Sequence, residues 1–377
     1  MGVEFSLVTS SRLKRFLGVG MLSSVICAAV FFFSYDFEPE FSPVMQEVVV
    51  SKQAQQLHED SVVIDLHVDS LLWPRDLTRE NIGGQVDFPR MRRGGLDGAA
   101  FTIVTEFFGL SGLKALHDGW PLPTWRSPWE RLNYQLDKMK TWAQSGEIQL
   151  RKPTLFPGTE TTFFAFHGIE GAHALEEKLH RLDDLAKRNV VFVSPVHLTD
   201  NGYGGSLAGS GRGLTDLGRK LIIEMNKVGL LLDLAHVSMA TFNEAIALTE
   251  FPPLVSHTGV KGVHDSSRNL SDAQIQAIAS RGGLVGVMFA PPALKNRSLL
   301  EVVLHIEHVI LVGGEDTVAI GSDFDGYVKT PIDVSNLPVL TEMMLRRGFT
   351  ENRIRKVLGG NVLRVLTQAH MRTKSDL

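Results

Sequence analysis

SVVIDLHVDS, residues 61–70, runs apolar and β-branched and then finishes on one histidine set between two acids. An extended strand alternates its side chains, which puts Asp65, His67 and Asp69 on one side. Three polar groups then converge at the end of a segment that otherwise reads as buried. Burying an unpaired carboxylate costs several kcal/mol or forces it to neutralise, so such a cluster needs hydrogen-bond donors, an opposite charge or a metal. A divalent cation would answer the whole cluster, and a hydrogen-bonded His67–Asp69 pair would answer part of it. The stretch alone leaves both readings open.

The same kind of run recurs along the chain. Strand candidates fall at 62–67, 99–104, 162–168, 190–196, 229–236, 253–257, 284–289 and 317–323, and helical patterns at 128–144, 174–188, 214–229, 271–283 and 299–314 lie between them. Eight apolar strands alternating with helices predict a parallel sheet closed as a (β/α)8 TIM barrel. An open doubly wound sheet is the alternative, but no GxGxxG fingerprint follows Leu66. The glycine-rich NGYGGSLAGSGRG (201–213) lacks the GK[ST] ending of a phosphate loop and reads as a flexible loop beside the site or as linker.

The rest of the chain narrows the function classes. With 377 residues, 44% apolar and 21% charged, it is long enough for a large core, and a net charge of -4 offers no footprint for nucleic acid. A single cysteine, Cys27, excludes an intrachain disulfide and a cysteine zinc site, which leaves His, Asp and Glu to bind any metal. Residues 16–35 carry no charge, follow Arg12, Lys14 and Arg15, and precede Asp36, Glu38 and Glu40. This pattern predicts a transmembrane anchor preceded by a cytoplasmic N-terminus at 1–15, with a cleaved signal peptide as the competing reading. Residues 36–58 read as a linker or short helix and 59–377 as the catalytic barrel, expected on the periplasmic or extracytoplasmic side.

Barrel enzymes build their sites at the C-terminal ends of strands. Here those ends carry His67 and Asp69, His167 and Glu170, His197, His236, His257, and Asp323 and Asp325. Independent strand ends bearing the same chemistry point to a metal centre.

IDLHVDS, QVDFPRMRRGG (85–95), FHGIEGAHAL (166–175), GLTDLGRKLIIEMNKVGLLLDLAHVS (213–238), VSHTGVKGVHDSSRNLSD (255–272) and AIGSDFDG (319–326) together resemble the membrane dipeptidase family, also called renal dipeptidases, within the amidohydrolase superfamily. The resemblance runs from about residue 60 to 368. It implies a (β/α)8 barrel holding two zinc ions that hydrolyses dipeptides through a metal-bridging hydroxide. Matched position by position, it implies His67 and Asp69 as ligands of one zinc, His236 and His257 as ligands of the other, and Glu170 as the bridge. It further implies Arg268 gripping the substrate carboxylate, Asp323 as the catalytic acid and proton shuttle, and His197 contacting the scissile group; a homodimer is the family's expectation. Asp65 and Asp325 are candidate acceptors for ligand histidines, or ordinary strand-end hydrogen-bonders. His173, His264, His305 and His308 are not assigned to the site.

Two features depart from the animal members, which have disulfides and a C-terminal lipid anchor: this chain has one cysteine and a polar tail, TQAHMRTKSDL. The loop from Phe107 to Arg126 has no match. Fold and metal do not settle the substrate, so a lactonase, a phosphotriesterase or an N-acyl amino acid hydrolase is the alternative, and a non-catalytic membrane-tethered binding protein a further one.

Overall fold

Each of the eight β-branched or aromatic runs contains a strand. They form β1 (Ile64–Val68), β2 (Gly98–Val104), β4 (Phe164–Glu170), β5 (Val190–Val193), β6 (Leu231–Leu232), β7 (Leu254–Thr258), β8 (Leu284–Val287) and β9 (Val318–Ile320); a two-residue β3 (Gln149–Leu150) pairs with β4. These are the elements of a computed structural model that describes residues 48–106, 118–151 and 163–375. The expected cytoplasmic segment and anchor, most of the 36–58 stretch and the loop at 107–117 lie outside the described residues. Among the described residues no helix is long and apolar enough to cross a membrane.

All strands pair in parallel, in the order β6-β5-β4-β2-β1-β9-β8-β7, and a bridge between Asp233 and Leu254 brings the two ends of the sheet together. The result is a nearly closed eight-stranded α/β barrel. Every strand of the ring adds to one apolar layer that includes Ile64, Phe166, Phe192, Leu254 and Leu284, and Val362 and Val365 of the helix Asn361–Ser375 join it. The barrel is therefore a packed core, and polar chemistry is left to the strand ends.

Several helices start where short polar side chains can accept from free N–H groups. Ser127 opens Pro128–Gln144, Thr215 opens Asp216–Val228, and Ser271 with Gln274 makes a reciprocal capping box for Asp272–Ala279. The pattern at 174–188 is the exception. Glu176 and Glu177 take positive φ values of 50° and 60°, so the true helix begins only at Arg181. The helix Lys52–Glu59 falls in the stretch expected as linker or short helix; it buries Ala54, Leu57 and His58, and Ser51 donates to Glu342 from its N–H (3.0 Å) and hydroxyl (2.6 Å).

β1 corrects one expectation. Its register against β2 runs Ile64↔Gly98 and Asp65↔Ala99 and then slips to Val68↔Phe101. Strict alternation breaks at that irregularity, so Asp65 does not join His67 and Asp69. Its Oδ1 instead accepts from the backbone N–H of His67 (3.0 Å) and Ser322 (2.9 Å).

His305, on the helix Leu299–Gly313, is fully buried and its Nδ1 accepts from Val260 N–H at 2.9 Å. That bond requires the neutral ring. Burial, with His264 and His308 nearby, lowers its pKa to about 4. Below the unfolded value near 6.5 the unfolded chain takes up a proton that the folded one refuses, so stability falls as pH drops from about 6.5 towards 4, by roughly 2–3 kcal/mol at most. His305→Asn, which keeps an acceptor in place, is expected to flatten the fall in urea midpoint across this range; an unchanged slope would refute the assignment.

Candidate metal centre

Six strand ends deliver the site. The sharpest convergence is on Glu170, the last residue of β4: its Oε1 lies 2.9 Å from His236 Nε2, 3.4 Å from His257 Nε2 and 3.6 Å from His67 Nε2, and its Oε2 lies 3.3 Å from His197 Nε2. His67 Nε2 is also 3.5 Å from Asp69 Oδ1 and 3.9 Å from Asp323 Oδ1. His236 and His257 face each other with their Nε2 atoms 2.8 Å apart, a contact that one proton at most can bridge. Among the described residues, three overlapping groups have ligand atoms within 4.8 Å of one another: His67, Glu170 and His257; Glu170, His197 and His236; His67, Asp69 and Asp323.

The backbone bends to aim these groups. His236, Asp323, Asp325 and Tyr327 hold φ at 62°, 64°, 65° and 64°. Gly326 passes so close that a Cβ there would sit 2.2 Å from Asp323 Oδ1 and 2.8 Å from Asp69 Oδ2. The glycine-rich loop at 201–213 does lie beside the site, but it is held rather than loose. Leu207 N–H donates to His236 O, Ser238 N–H to Gly205 O, and Ser206 and Ser210 N–H to the Asp200 carboxylate.

Burial opposes charge throughout. It lowers His236 to about 3 and His257 well below its ordinary value, and Arg268 adds to both shifts. Burial would lower His67 too, but Asp69 and Glu170 outweigh it and hold the ring up at about 10. Burial pushes Asp323 well above the carboxylate range, with repulsion from Asp69 and Glu170. Against its own burial, Glu170 is held below that range by His197, His67 and His236. Three buried carboxylates thus crowd histidines of which two stay neutral, and His67 Nε2 and Glu170 Oε1 make no hydrogen bond. Buried polar atoms normally have partners. Orphaned imidazole and carboxylate atoms that all face one another, without cysteine or methionine among them, fit a divalent metal of the zinc type.

Arg268 reaches the same region from beyond β7, donating to His257 O at 2.7 Å, and both Asp323 and Glu170 act on its charge. All eight residues expected at the site are therefore brought together. Asp325 is not a histidine acceptor. It takes hydrogen bonds from Ser70 Oγ, from Arg75 Nη2 (2.6 Å) and from Gln85 N–H (2.6 Å), which ties the 70–87 stretch to the end of β9.

Glu106 is a site residue the sequence reading missed. It stands two residues past β2, with Oε2 3.4 Å from His197 Nδ1 while Oε1 accepts from Thr199 Oγ1. Against its burial, the neighbouring His197 and the Thr199 hydroxyl bring it down to about 2. A carboxylate behind the ring fixes which nitrogen of His197 faces Glu170. The strand-end rule that found the others applies to Glu106 as well.

Residues 51–376 match the model of the membrane dipeptidase family, peptidase family M19. A dipeptidase, verJ, of Clonostachys rogersoniana is 32% identical over 207 residues, 53% of each chain, so the match spans about half the length of this curated relative. An amidohydrolase from Pseudomonas aeruginosa is similar in structure with a TM-score of 0.70 and 27% identity, covering 84% of this chain and 98% of that one. A metallopeptidase from Rhodobacter sphaeroides, liganded with a phosphinate mimic of L-Ala-D-Ala, has a TM-score of 0.71 and 26% identity over 82% of this chain and all of that one.

Proposed function

We propose, from the premise that this chain belongs to the membrane dipeptidase family, that it hydrolyses the peptide bond of dipeptides at a centre of two zinc ions. The observation that carries the reading is Glu170, one carboxylate within 2.9–3.6 Å of four imidazole nitrogens, with its Oε1 otherwise unpartnered. Its carboxylate would help hold both ions, one together with His67 and Asp69 and the other together with His236 and His257. When bound, such a metal pair supplies an ionised water at neutral pH and polarises the scissile carbonyl.

The chain's own residues supply the rest. Asp323, whose ionised form His67 and Arg268 favour against burial, would as a carboxylate take a proton from the attacking water and return it to the departing amine. His197, whose pKa Glu170 and Glu106 raise against its burial, can as an imidazolium turn one N–H to Glu106 and offer the other to the oxygen on which charge develops. The Arg268 guanidinium can pair bidentately with the free carboxylate of a dipeptide, which confines cleavage to short substrates. The dipeptide mimic bound to the Rhodobacter sphaeroides relative supports this substrate class.

The test joins zinc analysis to a substrate pair. The wild-type chain should hold near two zinc per chain and cleave a small dipeptide, with activity lost on chelation and restored by zinc. Arg268→Ala should lower kcat/KM for the dipeptide by roughly 30- to 3000-fold, mostly through KM, the loss of about 2–5 kcal/mol seen when a buried charge partner is removed. A dipeptide amide, lacking the carboxylate, should be nearly indifferent to the change. Equal losses on both substrates would sink the carboxylate role, and absence of zinc would sink the mechanism.

A further inference from the structure

Ser256 precedes His257 on β7 and is fully buried. Its Oγ is 3.0 Å from His67 Nδ1 and 3.0 Å from His257 Nδ1, on two rings whose centroids are 3.7 Å apart. A hydroxyl has two lone pairs and one proton, so it can accept from both rings only if its own proton goes elsewhere. For that proton the candidate is the Asp233 carboxylate, which holds the Ser256 backbone. Its Oδ1 takes the Ser256 N–H at 2.9 Å and the Ala235 N–H at 3.0 Å. Asp233 also stands at the bridge where β6 meets β7, so its position is set by the closure of the barrel.

A proton on Nδ1 leaves the lone pair on Nε2. Both Nε2 atoms face Glu170 Oε1, at 3.6 Å for His67 and 3.4 Å for His257. We propose that Ser256, backed by Asp233, is a positioning residue that sets the tautomer of His67 and His257 together, so that one hydroxyl governs the ligand geometry of both metal positions. The inference rests on the two-metal reading above, in which these histidines serve different ions. Groups behind a ligand histidine orient its ring and raise its basicity; here one group does so for two rings on different strands.

The test is Ser256→Ala in the full chain, with stepwise zinc affinities measured by competition against a chromophoric chelator. Both affinities should fall by roughly 10- to 100-fold, the usual effect of removing such a partner. Ser256→Thr, which keeps the hydroxyl, should stay close to wild type. Imidazole 15N spectra of the zinc-loaded wild type should show an Nδ1–H on both His67 and His257. This second readout stands even if the alanine variant does not fold, because an Nε2–H on either ring overturns the proposal. Unchanged zinc affinity, or a loss at one position only, also overturns it while leaving the two-metal reading intact. A wild-type chain that binds no zinc removes that reading itself, along with the inference built on it.

Discussion

Glu170→Gln is expected to lower kcat/KM for dipeptide hydrolysis by on the order of 10³-fold or more and to leave the protein short of its full metal content. Glu170 is the carboxylate on which four imidazoles converge, with Oε1 facing three of them and Oε2 facing His197. Glutamine keeps the shape but offers one neutral oxygen and an N–H₂ group, which repels a cation where the carboxylate would attract it. A metal pair contributes several kcal/mol of charge stabilisation in the transition state, and about 4 kcal/mol corresponds to the stated factor. Metal analysis beside steady-state kinetics checks it. Near-normal zinc content with activity within tenfold of wild type would contradict a bridging Glu170.

The second large effect is at Asp323. Asparagine there should cut kcat by roughly 10²- to 10⁴-fold, the range for losing a positioned proton-transfer group, while KM changes only slightly. Asp323 sits 3.9 Å from His67 Nε2 and its N–H donates to His67 O at 3.2 Å, so it is aimed at the same space as the ligands. That placement makes two roles geometrically available, proton shuttle or direct ligand. Metal content separates them. Full zinc occupancy with the kcat loss supports the shuttle, whereas a lost ion would make Asp323 a ligand and remove it from the proton path.

The residues legible in sequence were those that obey a local rule. His67, Asp69, Glu170, His197, His236, His257 and Asp323 each stand at or just past a strand end, and a parallel barrel places such positions around one mouth. Asp65 was misread because a register slip against β2 cancels the period of two, and nothing in IDLHV announces it. Asp325 obeyed the rule but serves Ser70, Arg75 and Gln85, partners about 240 to 255 positions away that only the closed barrel brings near. Ser256 was passed over because a hydroxyl beside a histidine is chemically ordinary; its significance appears only when His67, 189 positions earlier, is set against it. The first part of the helix expected at 174–188 failed on backbone conformation, since Glu176 and Glu177 are good helix formers forced out of the helical region, while Arg181–Lys187 is helical.

The left-handed backbone at His236, Asp323, Asp325 and Tyr327 bears on how this protein can change. A residue with a Cβ gives up roughly 1–2 kcal/mol to adopt that conformation, against a typical total stability of about 5–15 kcal/mol. Glycine would recover much of this at each position but would remove the His236 and Asp323 side chains of the site and the Asp325 carboxylate that holds Ser70, Arg75 and Gln85. Selection for thermal tolerance alone would therefore drift toward glycine at this rim and return robust but inert barrels. Durable activity has to be sought in changes distant from the mouth, where rigidity and aim do not compete.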